Sequence, residues 1–357
     1  MIKVTAMAKE TPFVPVKVKC PICETESTQR YLKSRMFQPD IIEEDSHVAT
    51  YKWENPEFAT VRPNFYHIWH CPACHYCDEK EIFRGEDTSG GKMELIKEKL
   101  LIHSRMPNSL ITRLGAMINF EKDYYSLESA LTAHLLAIYC QELLSVNMRQ
   151  YSKLARFYLR TAWIYREKEA LGLPEENIPS GFESYHDFLK SFTEEWPSIP
   201  LDETVALDTA LARYRDILNH GSNMDVKFEI NVMNLIIAML RRMGRNSEAL
   251  RDVRGVFTTA TKARQVARAA VQKGINAAQN QGVLNFCAGI IDKATTLAEE
   301  LGDIVFKEEL PAAKEAVMKM GPVDAKTVQE KLRELKFSEI TCRRLAKMFE
   351  KQAQAKK

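Results

Sequence analysis

A chain of 357 residues, 45% hydrophobic and 27% charged, is long enough for two or three domains and has the balance of an ordinary soluble protein. No run approaches the roughly 18–20 uninterrupted apolar residues of a membrane span, and the opening segment lacks the apolar core of a secretory signal. A cytoplasmic, reducing setting without membrane contact is therefore expected, where close cysteine pairs hold metal more often than they form disulfides. The formal net charge of +2 hides a gradient: residues 1–100 carry 14 Lys+Arg against 16 Asp+Glu, whereas residues 262–357 carry 18 against 12.

Residues 1 to about 88 read as mixed and strand-rich. Val14 to Val18 alternates β-branched residues and leads directly into Cys20. Gln29–Lys33 and His47–Tyr51 are weaker strand candidates, and the aromatic run Asn64–His70 is the strongest. Gly85 and Thr88-Ser89-Gly90-Gly91 supply boundary signals. Helical periodicity follows, with helices expected over 92–104, 108–120, 126–145 and 151–167. The proline-containing stretch 171–200 interrupts the series, with one short helix at 182–192. Helices resume at 202–219, 226–243 and 246–260, the last after the Met243-Gly244-Arg245 turn. Three more are expected between 262 and 320, closed by Gly321-Pro322, and Asp324 and Ser338 are placed to cap two final helices. The expected class is α+β: a small β-rich, zinc-ribbon-like module over 1–90, a tetratricopeptide-like helical domain over 91–261 with an insertion at 171–200, and a helical extension over 262–357.

Cys20-Pro21-Ile22-Cys23 and Cys71-Pro72-Ala73-Cys74 carry the clearest chemistry. Two residues between cysteines let a tight turn aim both sulfurs at one ion, and two such knuckles complete a tetrahedral four-thiolate shell. Cys20, Cys23, Cys71 and Cys74 are thus the expected ligands of a structural Zn²⁺. A thioredoxin-like redox pair would open a helix in a strand–helix–strand unit, and neither pair does. A filled shell leaves no position for water or substrate, and loss of the metal should unfold the module. His67, His70, His75 and Cys77 crowd the second knuckle, so a second metal, or His75 or Cys77 entering the shell, stays open at this point. His75 occupies the place after the knuckle where glycine is favoured for its freedom at positive φ.

The run Arg62–Tyr76 resembles the second half of an uncharacterised bacterial domain-of-unknown-function family that pairs CPxCG knuckles with tetratricopeptide-like helices. Cys20–Cys23 is similar to its first knuckle, Lys33-Ser34-Arg35 to a basic–serine segment, and Phe157–Glu167 to its characteristic helix. The resemblance spans roughly residues 15–260 and implies zinc binding and repeat helices; it brings no activity. Glu24 and His75 stand where the family's knuckles have glycine, and Cys77 where a small alanine is usual. These departures bear on turn geometry and not on the four ligands.

In the helical body Gly244, Ala249, Ile236, Leu240 and Val253 fit a tetratricopeptide repeat modestly, and Ala130 fits an earlier unit. An ordinary helical bundle is the alternative. Stacked helix pairs would form a groove for a protein or peptide partner. Lys331, Arg333, Lys336, Arg343, Arg344 and Lys347 give the second reading, a nucleic-acid-associated zinc protein that uses basic C-terminal helices. Phosphate-loop, HExxH and GxSxG signatures are absent. His186-Asp187 and Asn219-His220 are expected in loops, and no catalysis is expected.

Overall fold

The computed structural model describes residues 10–86, 91–119, 124–176, 178–221, 224–320 and 324–355. The chain forms two compact units, Met1–Ile217 and Leu218–Lys357.

The first unit begins with three two-stranded antiparallel hairpins. β1 (Phe13–Lys19) pairs with β2 (Glu26–Leu32), β3 (Phe37–Ile42) with β4 (Val48–Trp53), and β5 (Ile68–His70) with β6 (Cys77–Glu79). Pro15 in β1 and Pro39 in β3 are tolerated because each strand has a single partner and an open edge. The register of the second hairpin shifts beside Pro39. The aromatic run expected to be one strand is divided. Pro63–Tyr66 forms a 3-10 turn, started by the fixed φ of Pro63, and only Ile68–His70 is extended. The turn buries Tyr66 in a stack on Tyr125, with ring centroids 5.0 Å apart.

Among the described residues, seven α-helices complete this unit: α1 (Lys80–Phe83), α2 (Gly91–Ser104), α3 (Leu110–Gly115), α4 (Leu127–Glu142), α5 (Tyr151–Leu171), α6 (Tyr185–Lys190) and α7 (Glu203–His220), whose last turn crosses the unit boundary. The boundary signals at 88–90 lie outside the described residues, as does the last residue of the expected 108–120 helix. Ser126 caps α4 by accepting from the Ser129 N–H at 3.3 Å. The helix is buried on nearly every side, from Leu127 to Gln141, which makes it the central rod of the unit. The 172–202 segment packs inward with Tyr185, Phe188, Leu189, Phe192, Trp196 and Ile199. His186-Asp187 belongs to α6 and Asn219-His220 to the end of α7, so neither pair is in a loop.

The strands are fastened to α5 by polar contacts, of which Lys153–Asp78 and Arg166–Asp45 are buried. Lys153 reaches Asp78 at 2.7 Å, and Arg156 and Arg160 hold Glu79 at 2.8 and 2.9 Å. From the β3–β4 hairpin, Asp45 pairs with Arg166 at 2.7 Å, and His47 lies 2.6 Å from Glu43 and 3.1 Å from Glu167. Arg166 also holds Glu43 and Glu203. Despite the cost of burial, Arg166 keeps the Asp45 carboxyl below its usual range.

The second unit holds α8 (Val226–Arg242), α9 (Asn246–Gln272), α10 (Ala277–Met318), α11 (Ala325–Glu334) and α12 (Glu339–Ala355). Two expected breaks are corrected here. α9 continues past 260 to Gln272, and one 42-residue helix replaces a set of shorter ones. Its internal glycines each cost only about 1 kcal/mol relative to alanine, less than ending a packed helix would. The Gly321-Pro322 stop lies outside the described residues. Asp324 and Ser338 do cap their helices, accepting from Thr327 and Thr341 N–H groups at 2.7 and 3.3 Å. Ala313, Val317, Val328, Leu332, Cys342 and Leu345 form the core that joins α10, α11 and α12.

Candidate metal centre

Each CPxC sequence is the turn of a hairpin: residues 20–25 join β1 to β2, and residues 71–76 join β5 to β6. The two turns are built alike. The Cys20 N–H donates to Thr25 O at 3.0 Å and the Glu24 N–H to Cys20 O at 3.0 Å. In the second, the Cys71 N–H donates to Tyr76 O at 2.8 Å and the His75 N–H to Cys71 O at 2.9 Å. To close these bonds the fifth residue turns left-handed, and Glu24 and His75 have φ of +64° and +60°. The sequence position where glycine was expected therefore does need positive φ, and two non-glycine residues supply it.

The four sulfurs, 54 residues apart at most, lie within 4.8 Å of one another and are close enough to hold one metal ion. Cys20 Sγ is 3.7 Å from Cys74 Sγ, and Cys23 Sγ is 3.5 Å from Cys71 Sγ. A tetrahedral four-thiolate shell with metal–sulfur bonds of about 2.3 Å has edges of about 3.8 Å, so the donors fit a single ion. Cys20, Cys71 and Cys74 are buried and Cys23 is partly exposed. Hydrogen bonds from the Cys20 and Cys74 thiols hold Cys71 far below the usual thiol range. The same contacts raise Cys74 strongly, and the neighbouring Cys71 pushes Cys20 up to about 12. A cation held between the sulfurs would favour their thiolate forms.

The neighbouring candidates lie outside this cluster. Among the described residues the group that could hold a metal consists of the four cysteines alone. His75 Nδ1 is 3.1 Å from His70 Nε2, and the two rings stack. Cys77 is buried on β6, paired with His70 across the hairpin. His67 follows the 3-10 turn and is half-buried. Sequence reasoning missed two supports. Gly115 of α3 gives the His75 ring its place, since a Cβ there would stand 2.2 Å from the ring. Gln29 of β2 is buried and donates to His70 O at 2.8 Å, tying one hairpin to the other. Neither carries a signal in the sequence, because each depends on a contact between distant segments.

A profile described as an uncharacterized protein family conserved in bacteria (DUF2225) matches residues 13–281, three-quarters of the chain. The chain belongs to that family. The match begins at β1, runs through both knuckles and α4–α9, and ends in the first turns of α10. No curated protein and no solved structure matches the chain. Among the described residues no helix is long and apolar enough to cross a membrane.

The basic C-terminal residues are largely committed to neighbours. Arg333 and Arg343 share Glu339, both at 2.7 Å, Lys331 holds Glu334 at 2.6 Å, and Arg344 holds Asp303 at 2.6 Å.

Proposed function

We propose that Cys20, Cys23, Cys71 and Cys74 bind one Zn²⁺ in a closed structural site, and that the protein is a cytoplasmic, non-enzymatic scaffold whose helices receive a protein or peptide partner. The observation that carries this reading is the convergence of four thiols from two like-built turns within 4.8 Å. Soft thiolates at tetrahedral spacing favour zinc or iron over magnesium or calcium, which take oxygen ligands. Sulfur separations of 3.5 and 3.7 Å suit one ion better than a multi-iron cluster. Four protein ligands leave no coordination position for substrate, which favours a structural role over a catalytic one.

The partner reading rests on the helices. α8 and α9 form a close pair around the Gly244 turn, with Ala249 fully buried between them, in the manner of a tetratricopeptide-like unit. Phe228 and Phe257 on this pair remain 45% and 42% exposed, an apolar surface suited to a peptide segment. Affinity capture from native lysate tests this reading with the zinc-loaded full chain against a Phe228→Ser/Phe257→Ser variant. A partner retained by the first and lost by the second supports it; capture of the same proteins by both overturns the assignment.

A further inference from the structure

From Val253 to Ile291 the sequence has five Lys/Arg residues and no Asp or Glu. The segment covers most of α9, the turn at Lys273–Asn276 and the first part of α10. Arg254, Lys262, Arg264, Arg268 and Lys273 are all exposed, and none of their side chains makes an ion pair or hydrogen bond among the described residues. This contrasts with α11 and α12, where Arg333, Arg343 and Arg344 are spent on Glu339 and Asp303. The α9–α10 hairpin therefore carries a run of cations with no acidic neighbour in sequence, at a different place from the C-terminal helices that the sequence pointed to.

At about 100° per residue, the five cations fall within about half of the circumference of α9. Ala260 and Ala267, buried at 0% and 2% exposure, mark the opposite, packed side. Arg254, Arg264 and Arg268 form a tighter row that rises about 21 Å along the helix. α8 reaches the hairpin as far as Phe286, whose ring lies under Lys227, so the end of the hairpin extends beyond it. That end is finished with neutral amides, including Gln265, Gln272, Asn276, Gln279 and Asn280, and these can hydrogen-bond to phosphate and sugar oxygens.

We propose that this hairpin face binds the phosphate backbone of a nucleic-acid duplex. A row of unpaired arginines with amide neighbours matches regularly spaced phosphates. A single strand is the poorer fit, because binding it relies on a series of stacking aromatics, and between Arg254 and Lys273 the sequence has Phe257 alone. A lipid surface is also a poorer fit, since the exposed large apolar residues there, Val266 and Ile275, do not make a continuous face. Binding is independent of the metal centre, whereas Phe257 lies along the same row of α9, so a duplex and the protein partner proposed above would compete for this face.

The test is fluorescence anisotropy of the full zinc-loaded chain with a short labelled duplex over a range of salt. Five phosphate contacts give a log–log salt slope of about −4.5, hence about 500-fold weaker binding between about 50 and 200 mM salt. The Arg254→Gln/Arg264→Gln/Arg268→Gln variant should reduce the slope to about −1.8 and the salt effect to about 12-fold. The Arg333→Gln/Arg343→Gln/Arg344→Gln variant should bind as the parent does. All three substituted positions on α9 are exposed, and circular dichroism should report an unchanged helix content. No binding at low salt, an equal slope in parent and α9 variant, or equal binding of polyglutamate or anionic vesicles would overturn the proposal. Separate DNA and RNA duplexes report which backbone form is preferred, and tighter binding to a single strand also contradicts it.

Discussion

Replacing Lys153 by methionine isolates the contact that fastens the second knuckle to α5. Lys153 is 4% exposed and Asp78 0% exposed, with the ammonium 2.7 Å from one carboxylate oxygen. Methionine keeps the apolar stem and deletes the charge. Removing one partner of a buried pair costs about 3–5 kcal/mol, because the other is left as an uncompensated charge. Here the Tyr76 hydroxyl and the Glu79 N–H still donate to Asp78 at 2.5 and 2.7 Å, so the lower end, about 3 kcal/mol, is expected. Burial already pushes the Asp78 carboxyl above its usual range, with Lys153 opposing that rise. Without Lys153 the rise grows. A carboxyl whose folded pKa exceeds its unfolded value of about 3.9 binds its proton more tightly when folded. The deficit of the variant is therefore full above the folded pKa and shrinks as pH falls toward about 4. Urea unfolding of parent and variant, both with excess zinc, measures it, and an Asp78→Asn/Lys153→Met double variant should recover at least half of the loss. A loss under about 1 kcal/mol that is also independent of pH would refute the reasoning.

Other consequences are as direct. Glu24 is exposed and left-handed at φ +64°, so Glu24→Gly should raise unfolding stability by about 1 kcal/mol, even after losing its surface pair with Lys19; a lower midpoint would speak against strain at that turn. Gly115→Ala should lower stability by about 1–3 kcal/mol by driving a methyl into the His75 ring, and His75→Gly in the same chain should relieve most of it; equal melting of single and double variants would contradict that contact. His134 is buried in α4, with Nδ1 donating to Ala130 O at 2.8 Å, and burial lowers its pKa to about 3. Its folded pKa lies below the unfolded value of about 6.5, so its contribution is present above that value and is lost as pH falls through the window between them. His134→Leu should flatten the pH dependence of unfolding by up to about 1.4 kcal/mol per pH unit between about pH 6 and 4, and parallel profiles would exclude this role.

The metal cluster was legible in the sequence because CPxC carries its geometry locally: spacing, proline and a demanding fifth residue all lie within one turn. The helices were legible from periodicity, and their caps at Asp324 and Ser338 from residue type. What escaped was decided by distant contacts or by too few residues. β6 is only Cys77–Glu79 and exists because β5 lies opposite it. β3 contains Pro39, which argues against a strand until its single partner is known. The long α10 was hidden by glycines and by Pro311, which break helices in isolation but are outweighed by packing on α9 and α12. Nothing in the sequence names the hairpin partners of Lys153, Arg156, Arg160 and Arg166, which lie 75–121 residues away; in the fold they are the grip of α5 on the strands.

X-ray absorption at the metal edge of the full chain, combined with metal stoichiometry, addresses the four-thiolate staple most directly. The account predicts one zinc per chain, surrounded by four sulfurs at about 2.3 Å and no light-atom neighbour. A nitrogen or oxygen ligand, a metal–metal distance, or a folded chain that binds no metal at these cysteines would contradict it.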